Sequence, residues 1–352
     1  MNKIRILIVD DSAVFRHFLE GVLEKEPAFS VVGSASDALE AAERIAGLKP
    51  DVITLDVEMP GMNGIAFLRK LMQNNPLPVV MVSSFTEENG ALTIEALANG
   101  AVDFVLKPFS DGSQDRSEFA TEIIGKIKIA SHGRIVRHPA VNRVKWAKAD
   151  PIPGSSKLTR NLIAVGASTG GTGAVCEILR ALPPGIPPTV IVQHMPGVFT
   201  GLYARRLDEL CHFSVKQADD MEELRPGNVY IAPGDRHLIV ESHRSGWRIR
   251  LIDSPPINYH KPCIDLFFES VADTLRANAL GIILTGMGND GAKGLLAMRQ
   301  RGAFTIAQDE STSLIFGMPR AAIKLNASCE VVPIDRIPGR IMACLSGEGS
   351  DG

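Results

Sequence analysis

Along the first hundred residues, short apolar runs rich in β-branched side chains each stop on a polar position: "RILIVD", "SVVGSA", "DVITLDV", "LPVVMVSS" and "DFVLK". Between them lie stretches with apolar residues at helical spacing, such as "AVFRHFLEGVLEKE" and "SDALEAAERIAGL", the second opened by a Ser-Asp cap. Five strands alternating with five helices predict an open parallel sheet covered on both faces. From about Leu158 a second alternation begins. "NLIAVGAS", "PPTVIVQHM", "NVYIAPG", "HLIVE", "WRIRLID", "LGIILTG", "AFTIAQD" and "CEVVPI" read as strands. "GAVCEILRAL", "TGLYARRLDEL", "CIDLFFESVADTLRA" and "GAKGLLAMRQR" read as helices, and "HLIVESHRSGWRIRLID" as a hairpin.

The stretch between the two patterns is different. "SDGSQDRSEFATEIIGKIKIA" fits one last helix, after which the apolar period is lost among Pro, Gly and Ser. From Lys126 to Arg160 there are nine Lys or Arg and one acid, Asp150. This reads as a solvated basic linker, with a tether for an acidic partner or nucleic acid as the sharper reading. The expected organisation is residues 1–125, a linker over 126–157, and a second α/β domain over 158–349.

Composition changes this picture little. A chain of 352 residues suits two domains, and 45% hydrophobic with 22% charged residues is ordinary for a soluble protein. A net charge of −3 gives no global reason to expect nucleic-acid binding, and there is no helix-turn-helix unit to support a transcriptional regulator. Five scattered cysteines, with no C-x-x-C, argue against a disulfide framework or structural zinc and fit a reducing cytosol. No apolar run is long enough for a membrane span or a secretory signal, so a cytoplasmic protein without membrane insertion is expected.

In a parallel α/β sheet, ligands gather at the carboxyl ends of the strands. In the first domain those ends carry Asp10-Asp11, Asp56, Ser83-Ser84 and Lys107-Pro108. Carboxylates crowded at one edge need a hard cation with oxygen ligands, for which Mg²⁺ is suited. One carboxylate then attacks a phosphoryl donor to form an acyl phosphate, whose charge Ser83 and Lys107 would meet. Through "IVDDS", "LDVEMPGMNG", "VSS" and "LKP" this region resembles the receiver domain of response regulators, which have a flavodoxin-like fold. The resemblance implies that Asp56 is the phosphoacceptor, that Asp10 and Asp11 hold the metal with the backbone carbonyl of Glu58, and that Phe104 is the aromatic switch residue. Asn63 stands where an Asp is more frequent, at a position that is not a metal ligand.

In the second domain, "GASTGG" surrounds Ser168-Thr169 with glycine. It lacks the Lys of a Walker loop and matches neither G-x-G-x-x-G nor G-x-S-x-G. What is left is a serine at a strand end with a helix just beyond, whose N–H groups could meet an oxyanion. A nucleophilic serine needs a base and the base an orienter. His194 ends the next strand and Asp290 sits in the glycine-rich turn after a later one, so parallel strands bring all three to one sheet edge. His237 and His260 are the next candidate bases. A competing reading stays open, because "GMGNDG" (286–291) fits the dinucleotide fingerprint, with Asp309 about twenty residues on as its ribose acid. That reading makes the chain a receiver-linked oxidoreductase.

The whole chain resembles the CheB family, the chemotaxis response-regulator protein-glutamate methylesterases. The carrying blocks are "GASTGG", "QHMPGVFTGLYARRL", "YIAPGDRHL", "LTGMGNDGAKGLLAMRQRGAFTIAQDE" and "FGMPRAAI". The resemblance implies a doubly wound, mostly parallel catalytic domain with Ser168 as nucleophile, His194 as base and Asp290 as orienter. Thr169 and Met287 match positions that help hold the histidine and the oxyanion. Cys263, in "KPCIDLFF", stands where Ser is common, with no loss of chemistry expected. The implied substrates are glutamate γ-methyl esters, and glutamine amides, on methyl-accepting chemotaxis receptors. The implied phosphodonor is the chemotaxis histidine kinase, and phosphorylation is expected to release an edge that the receiver covers. No cofactor is expected in the esterase site.

Overall fold

The computed structural model describes residues 3–84, 86–108, 116–133, 160–244 and 246–346. The chain divides into two compact units, residues 1–141 and 142–352. Most of the expected linker, residues 134–157, lies outside the described residues.

The first unit is a five-stranded parallel sheet. Its strands are β1 (Ile4–Val9), β2 (Phe29–Ala35), β3 (Val52–Asp56), β4 (Val79–Ser83) and β5 (Asp103–Leu106), in the order β2-β1-β3-β4-β5. β3 and β4 are buried along their whole length, as near-continuous apolar runs require of strands covered on both faces. Five helices alternate with them: α1 (Ala13–Leu23), α2 (Ala38–Leu48), α3 (Gly64–Asn74), α4 (Glu87–Ala98) and α5 (Arg116–His132). The Ser-Asp opening of α2 works as read. Asp37 accepts from the N–H groups of Leu39 and Glu40, and Glu40 reaches back to the Ser36 N–H. Asn63 caps α3, accepting from the Ala66 N–H at 2.9 Å, which is the local task of that residue. α5 buries Phe119, Ile123, Ile127 and Ala130 at helical spacing. It continues to His132, past residue 125 where the first domain was expected to end.

The second unit holds a seven-stranded parallel sheet. The strands are β6 (Leu162–Ala167), β7 (Thr189–Gln193), β8 (Ser214–Gln217), β9 (Asn228–Ile231), β12 (Ala279–Ile283), β13 (Phe304–Gln308) and β14 (Glu330–Val332), in the order β14-β13-β12-β6-β7-β9-β8. The antiparallel hairpin of β10 (His237–His243) and β11 (Gly246–Ile252) stands apart from that sheet, as its own pattern suggested. β8 has no counterpart in the sequence reading. It is a four-residue edge strand with a single fully buried side chain, Val215, too short for an alternation to register. The helices are α6 (Gly171–Ala181), α7 (Gly197–Leu210), α8 (Ile264–Leu275), α9 (Ala292–Gln300), α10 (Met318–Lys324) and α11 (Ile337–Ser346). α8 drives Phe267, Phe268, Val271 and Leu275 into the core against β10, β12 and α9. The chain leaves β6 toward β7 on one side and later returns to β12 on the other. The carboxyl ends of β12, β6 and β7 therefore form a switch point, where open α/β sheets place their ligands.

Candidate active site

Each of the three central strands runs out into one expected site residue. Ala167 pairs with Gln193 at the end of β6 and β7, so Ser168 and His194 are the next residues on two adjacent strands. The His194 N–H donates to the Ala167 carbonyl at 3.0 Å. The Ser168 N–H donates to the Thr285 carbonyl at 3.0 Å, which joins the serine to the loop after β12. Gly170, the N-cap of α6, has φ +79°, a conformation that lets the chain turn at once from strand into helix. Thr169 contributes its carbonyl, which accepts from the Thr285 hydroxyl at 3.0 Å. Gln193, buried beneath, donates from Nε2 to the Ser168 carbonyl at 2.8 Å and to the His194 carbonyl at 3.2 Å. The glycines around Ser168 thus serve close approach. A Cβ at Gly286 would lie 2.7 Å from the Ser168 Cβ and 2.3 Å from the Met318 sulfur.

His194 Nε2 lies 2.9 Å from Asp290 Oδ2. A carboxylate only accepts, so Nε2 carries the proton and Nδ1 keeps its lone pair. Nδ1 is buried and has no hydrogen-bond partner among the described residues. No hydrogen bond joins it to the Ser168 hydroxyl, so His194 is aligned with Asp290 while its contact to Ser168 is not closed. The ring stacks on His260, with centroids 4.0 Å apart and planes within 6°.

Asp290 is almost wholly buried, yet its carboxyl is held well below the usual carboxylate range. Burial alone would raise it. The bond from His194 and the backbone N–H groups of Ile264 and Asp265 outweigh that cost. These two N–H groups belong to the first turn of α8, so the carboxylate also sits at the positive end of a helix. Cys263, the N-cap of that helix, donates its thiol to Asp290 Oδ1 at 3.2 Å, and burial pushes the thiol up to about 12, keeping it protonated. Met287 is 53% exposed, and its N–H makes no hydrogen bond among the described residues. It follows Gly286, whose backbone packs against Ser168.

His237, the other candidate base, is fully buried and satisfied. Nε2 meets the Pro255 carbonyl at 3.1 Å, and Nδ1 accepts from the Cys263 N–H at 3.1 Å. The dinucleotide reading is overturned by the use already made of its parts. Asp290 within "GMGNDG" faces His194 and α8, and the Asp309 carboxylate is occupied by Ser311 and Thr312 of its own turn.

In the first unit, carboxylate oxygens of Asp10, Asp11 and Asp56 lie within 4.8 Å of one another, Asp10 and Asp56 buried and Asp11 exposed. Lys107 Nζ lies 2.7 Å from both Asp56 Oδ2 and Asp10 Oδ2. One ammonium thus serves two buried carboxylates, hydrogen-bonded to Asp56 and ion-paired with Asp10. Burial pushes Asp56 up to about 6, with Lys107 opposing and Asp10 adding to the rise. A crowded carboxylate set of this kind fits a hard divalent cation. The Glu58 N–H points to Asp56 Oδ1 at 3.4 Å from the loop that follows β3. Ser83 is buried at the end of β4, with its hydroxyl on the Ser84 carbonyl. Phe104 is buried in β5, not exposed at the surface, and Lys126 lies over its ring at 4.9 Å.

Sequence reasoning missed three supports of the catalytic unit. The His260 stack carries no sequence signal. The Gln193 clamp adjoins a residue already singled out. Cys263 stands out in the sequence only as a departure, because a thiol is not among the side chains that signal a helix cap.

Comparison with known proteins follows the same division. The model of the CheB methylesterase family matches residues 163–341, and that of the response regulator receiver domain matches residues 6–114. A protein-glutamate methylesterase/protein-glutamine glutaminase from Xanthomonas oryzae pv. oryzae is 47% identical over 348 residues, 97% of either chain. Another from Salmonella typhimurium is 45% identical over 346 residues, 98% of either chain. The crystal structure of the Thermotoga maritima CheB methylesterase catalytic domain covers 52% of this chain and 97% of its own, with 38% identity and a TM-score of 0.51.

Proposed function

The chain belongs to the CheB methylesterase family and is a chemotaxis protein-glutamate methylesterase/protein-glutamine glutaminase with a receiver domain; from that premise we propose how its own residues do the work. Ser168 is the nucleophile, His194 the base through Nδ1, and Asp290 the orienter through Nε2. The observation that carries this is the state of His194, with one nitrogen tied to a buried carboxylate and the other buried with an unused lone pair beside the serine's strand end.

The Ser168 oxygen attacks the carbonyl carbon of a glutamate γ-methyl ester as Nδ1 takes the hydroxyl proton. The oxyanion is met by the Met287 N–H, with Thr169 helping to hold the site. Collapse breaks the C–O bond, and methanol leaves with the proton from His194. Water then gives a proton to Nδ1 and adds to the acyl carbon; collapse breaks the bond to Ser168, whose oxygen takes the proton back from Nδ1, and the glutamate side chain is restored. With a glutamine side chain the same steps expel ammonia. The substrate side chains belong to methyl-accepting chemotaxis receptors, reached from the cytoplasm. Among the described residues no helix is long and apolar enough to cross a membrane.

In the receiver, Asp10, Asp11 and Asp56 would hold Mg²⁺ together with the Glu58 carbonyl, and the ion would supply positive charge beside the phosphoryl group. The Asp56 carboxylate oxygen attacks the phosphorus of a phosphohistidine on the chemotaxis histidine kinase, forming the acyl phosphate as the P–N bond breaks and the kinase imidazole leaves. Lys107 and Ser83 then face its oxygens, and Phe104 responds as the switch. Hydrolysis rises because the phosphoryl group binds better to the active arrangement than to the resting one. We read residues 1–125 as receiver, 126–157 as linker and 158–349 as catalytic domain, with the last turns of α5 entering the linker segment.

The test is methanol release from methylated receptor by the full chain, with and without a small phosphodonor. Ser168→Ala is expected to release none while still taking phosphate in Mg²⁺. A Ser168→Ala chain that turns over would show that another group is the nucleophile.

A further inference from the structure

His260 has no role in the steps above, yet it makes the closest ring contact in the site. Its plane lies within 6° of the His194 plane at a centroid separation of 4.0 Å. It is carried on a tight turn. The Ile257 N–H donates to the His260 carbonyl at 3.0 Å and the His260 N–H returns the bond at 2.9 Å. The two residues between, Asn258 and Tyr259, both have left-handed φ, +52° and +67°. A tyrosine in that region costs energy, and Tyr259 is 100% exposed, so no packing of its ring repays the cost. What the turn does is aim the next residue inward, onto the catalytic imidazole.

The need for such a support follows from the shape of the base. An imidazole held by one hydrogen bond at Nε2 can rock about that bond or turn over, exchanging its nitrogens. Nδ1 has no partner to resist this. A flat ring packed parallel against one face removes the freedom. Burial, then the neighbouring His194 imidazole, hold His260 below the ordinary histidine range, with Asp290 opposing. His260 is therefore neutral at neutral pH and offers a π face to the imidazolium that forms as Ser168 loses its proton.

We propose that His260 is a positioning residue for the hydrolysis, holding His194 by face-to-face stacking in the one plane where Nε2 meets Asp290 and Nδ1 faces the nucleophile. This rests on His194 being the base. Methanol release from methylated receptor is measured for the full chain with His260→Ala, His260→Phe and His194→Gln, together with the ¹⁵N shifts of His194 in the two His260 variants. Loss of the flat face in His260→Ala lowers kcat roughly ten- to hundredfold with KM unchanged, the scale of a misplaced reacting group. His260→Phe keeps the face and recovers most of the rate. The Nε2–H tautomer of His194 stays dominant with Phe and becomes mixed with Ala. Wild-type kcat in the Ala variant, or equal losses in Ala and Phe, overturns the stacking role while His194→Gln is inactive. A His194→Gln chain that still turns over overturns the base assignment instead. If the Ala variant does not fold, the Phe variant decides alone: retained kcat with the Nε2–H tautomer supports the stack, and a large loss refutes it.

Discussion

Replacing Asp290 by Asn tests the core of the mechanism because the structure allows the outcome to be worked through. The carboxylate accepts from five donors. Oδ2 takes His194 Nε2 at 2.9 Å and the Ile264 N–H at 2.8 Å, while Oδ1 takes the Asp265 and Gly291 N–H groups at 3.0 Å and the Cys263 thiol at 3.2 Å. An amide keeps one acceptor oxygen and turns the other side into a donor. With its oxygen at the Oδ2 side, two backbone N–H groups are left facing an NH₂. With its oxygen at the Oδ1 side, only the Ile264 N–H is stranded, so this orientation wins. His194 must then accept at Nε2 and carry its proton on Nδ1, where it cannot take the serine proton. The expected loss in kcat is of the order of 10⁴-fold, the scale of the wrong tautomer in a serine triad. The stranded N–H costs about 1–3 kcal/mol. That lowers the melting temperature of the catalytic unit by roughly 2–12 °C, at 2–4 °C per kcal/mol for a unit of this size. Methanol release gives the first quantity and calorimetry of the full chain the second. The pH dependence has a definite sign. The folded carboxyl is depressed, so its contribution is present above the unfolded carboxylate pKa of about 3.9 and lost as pH falls through the folded value. Asp290→Asn should therefore flatten the acid-unfolding curve of that unit. A kcat within about tenfold of wild type would refute the tautomer argument, whatever the stability.

Two further changes probe separate parts. Gly286→Ala puts a Cβ within 2.7 Å of the Ser168 Cβ and 2.3 Å of the Met318 sulfur; kcat should fall roughly 10²-fold with the receiver still phosphorylated, and an unchanged kcat would mean that Ser168 need not stay where it is. Asp56→Asn should remove activation by a small phosphodonor in the methanol assay and leave basal hydrolysis; loss of basal hydrolysis would show that the receiver does more than regulate.

The sequence by itself determined what is local. Short β-branched runs such as "VITLD" and "TVIVQ" read as buried strands, and the glycines after β6 and β12 announce backbone that must approach closely. The strand-end residues Asp10, Asp56, Ser168 and His194 followed from the rule that parallel sheets collect chemistry at one edge. Asp290 followed less directly, since its strand is over a hundred residues from Ser168 and "GMGNDG" also fits a phosphate loop. The sheet order, with β12 beside β6, and the bonds that already occupy Asp290 and Asp309 removed that ambiguity; strand pairing at long separation depends on how helices cover the two faces and leaves no periodic trace. The tertiary structure alone decided which nitrogen of His194 meets the carboxylate, that α8 delivers its first N–H groups to Asp290, and that His260 stacks on His194. These contacts join residues through directional bonds and ring faces across separate elements. A linear pattern records which side chains are buried, and it carries no information about where they point.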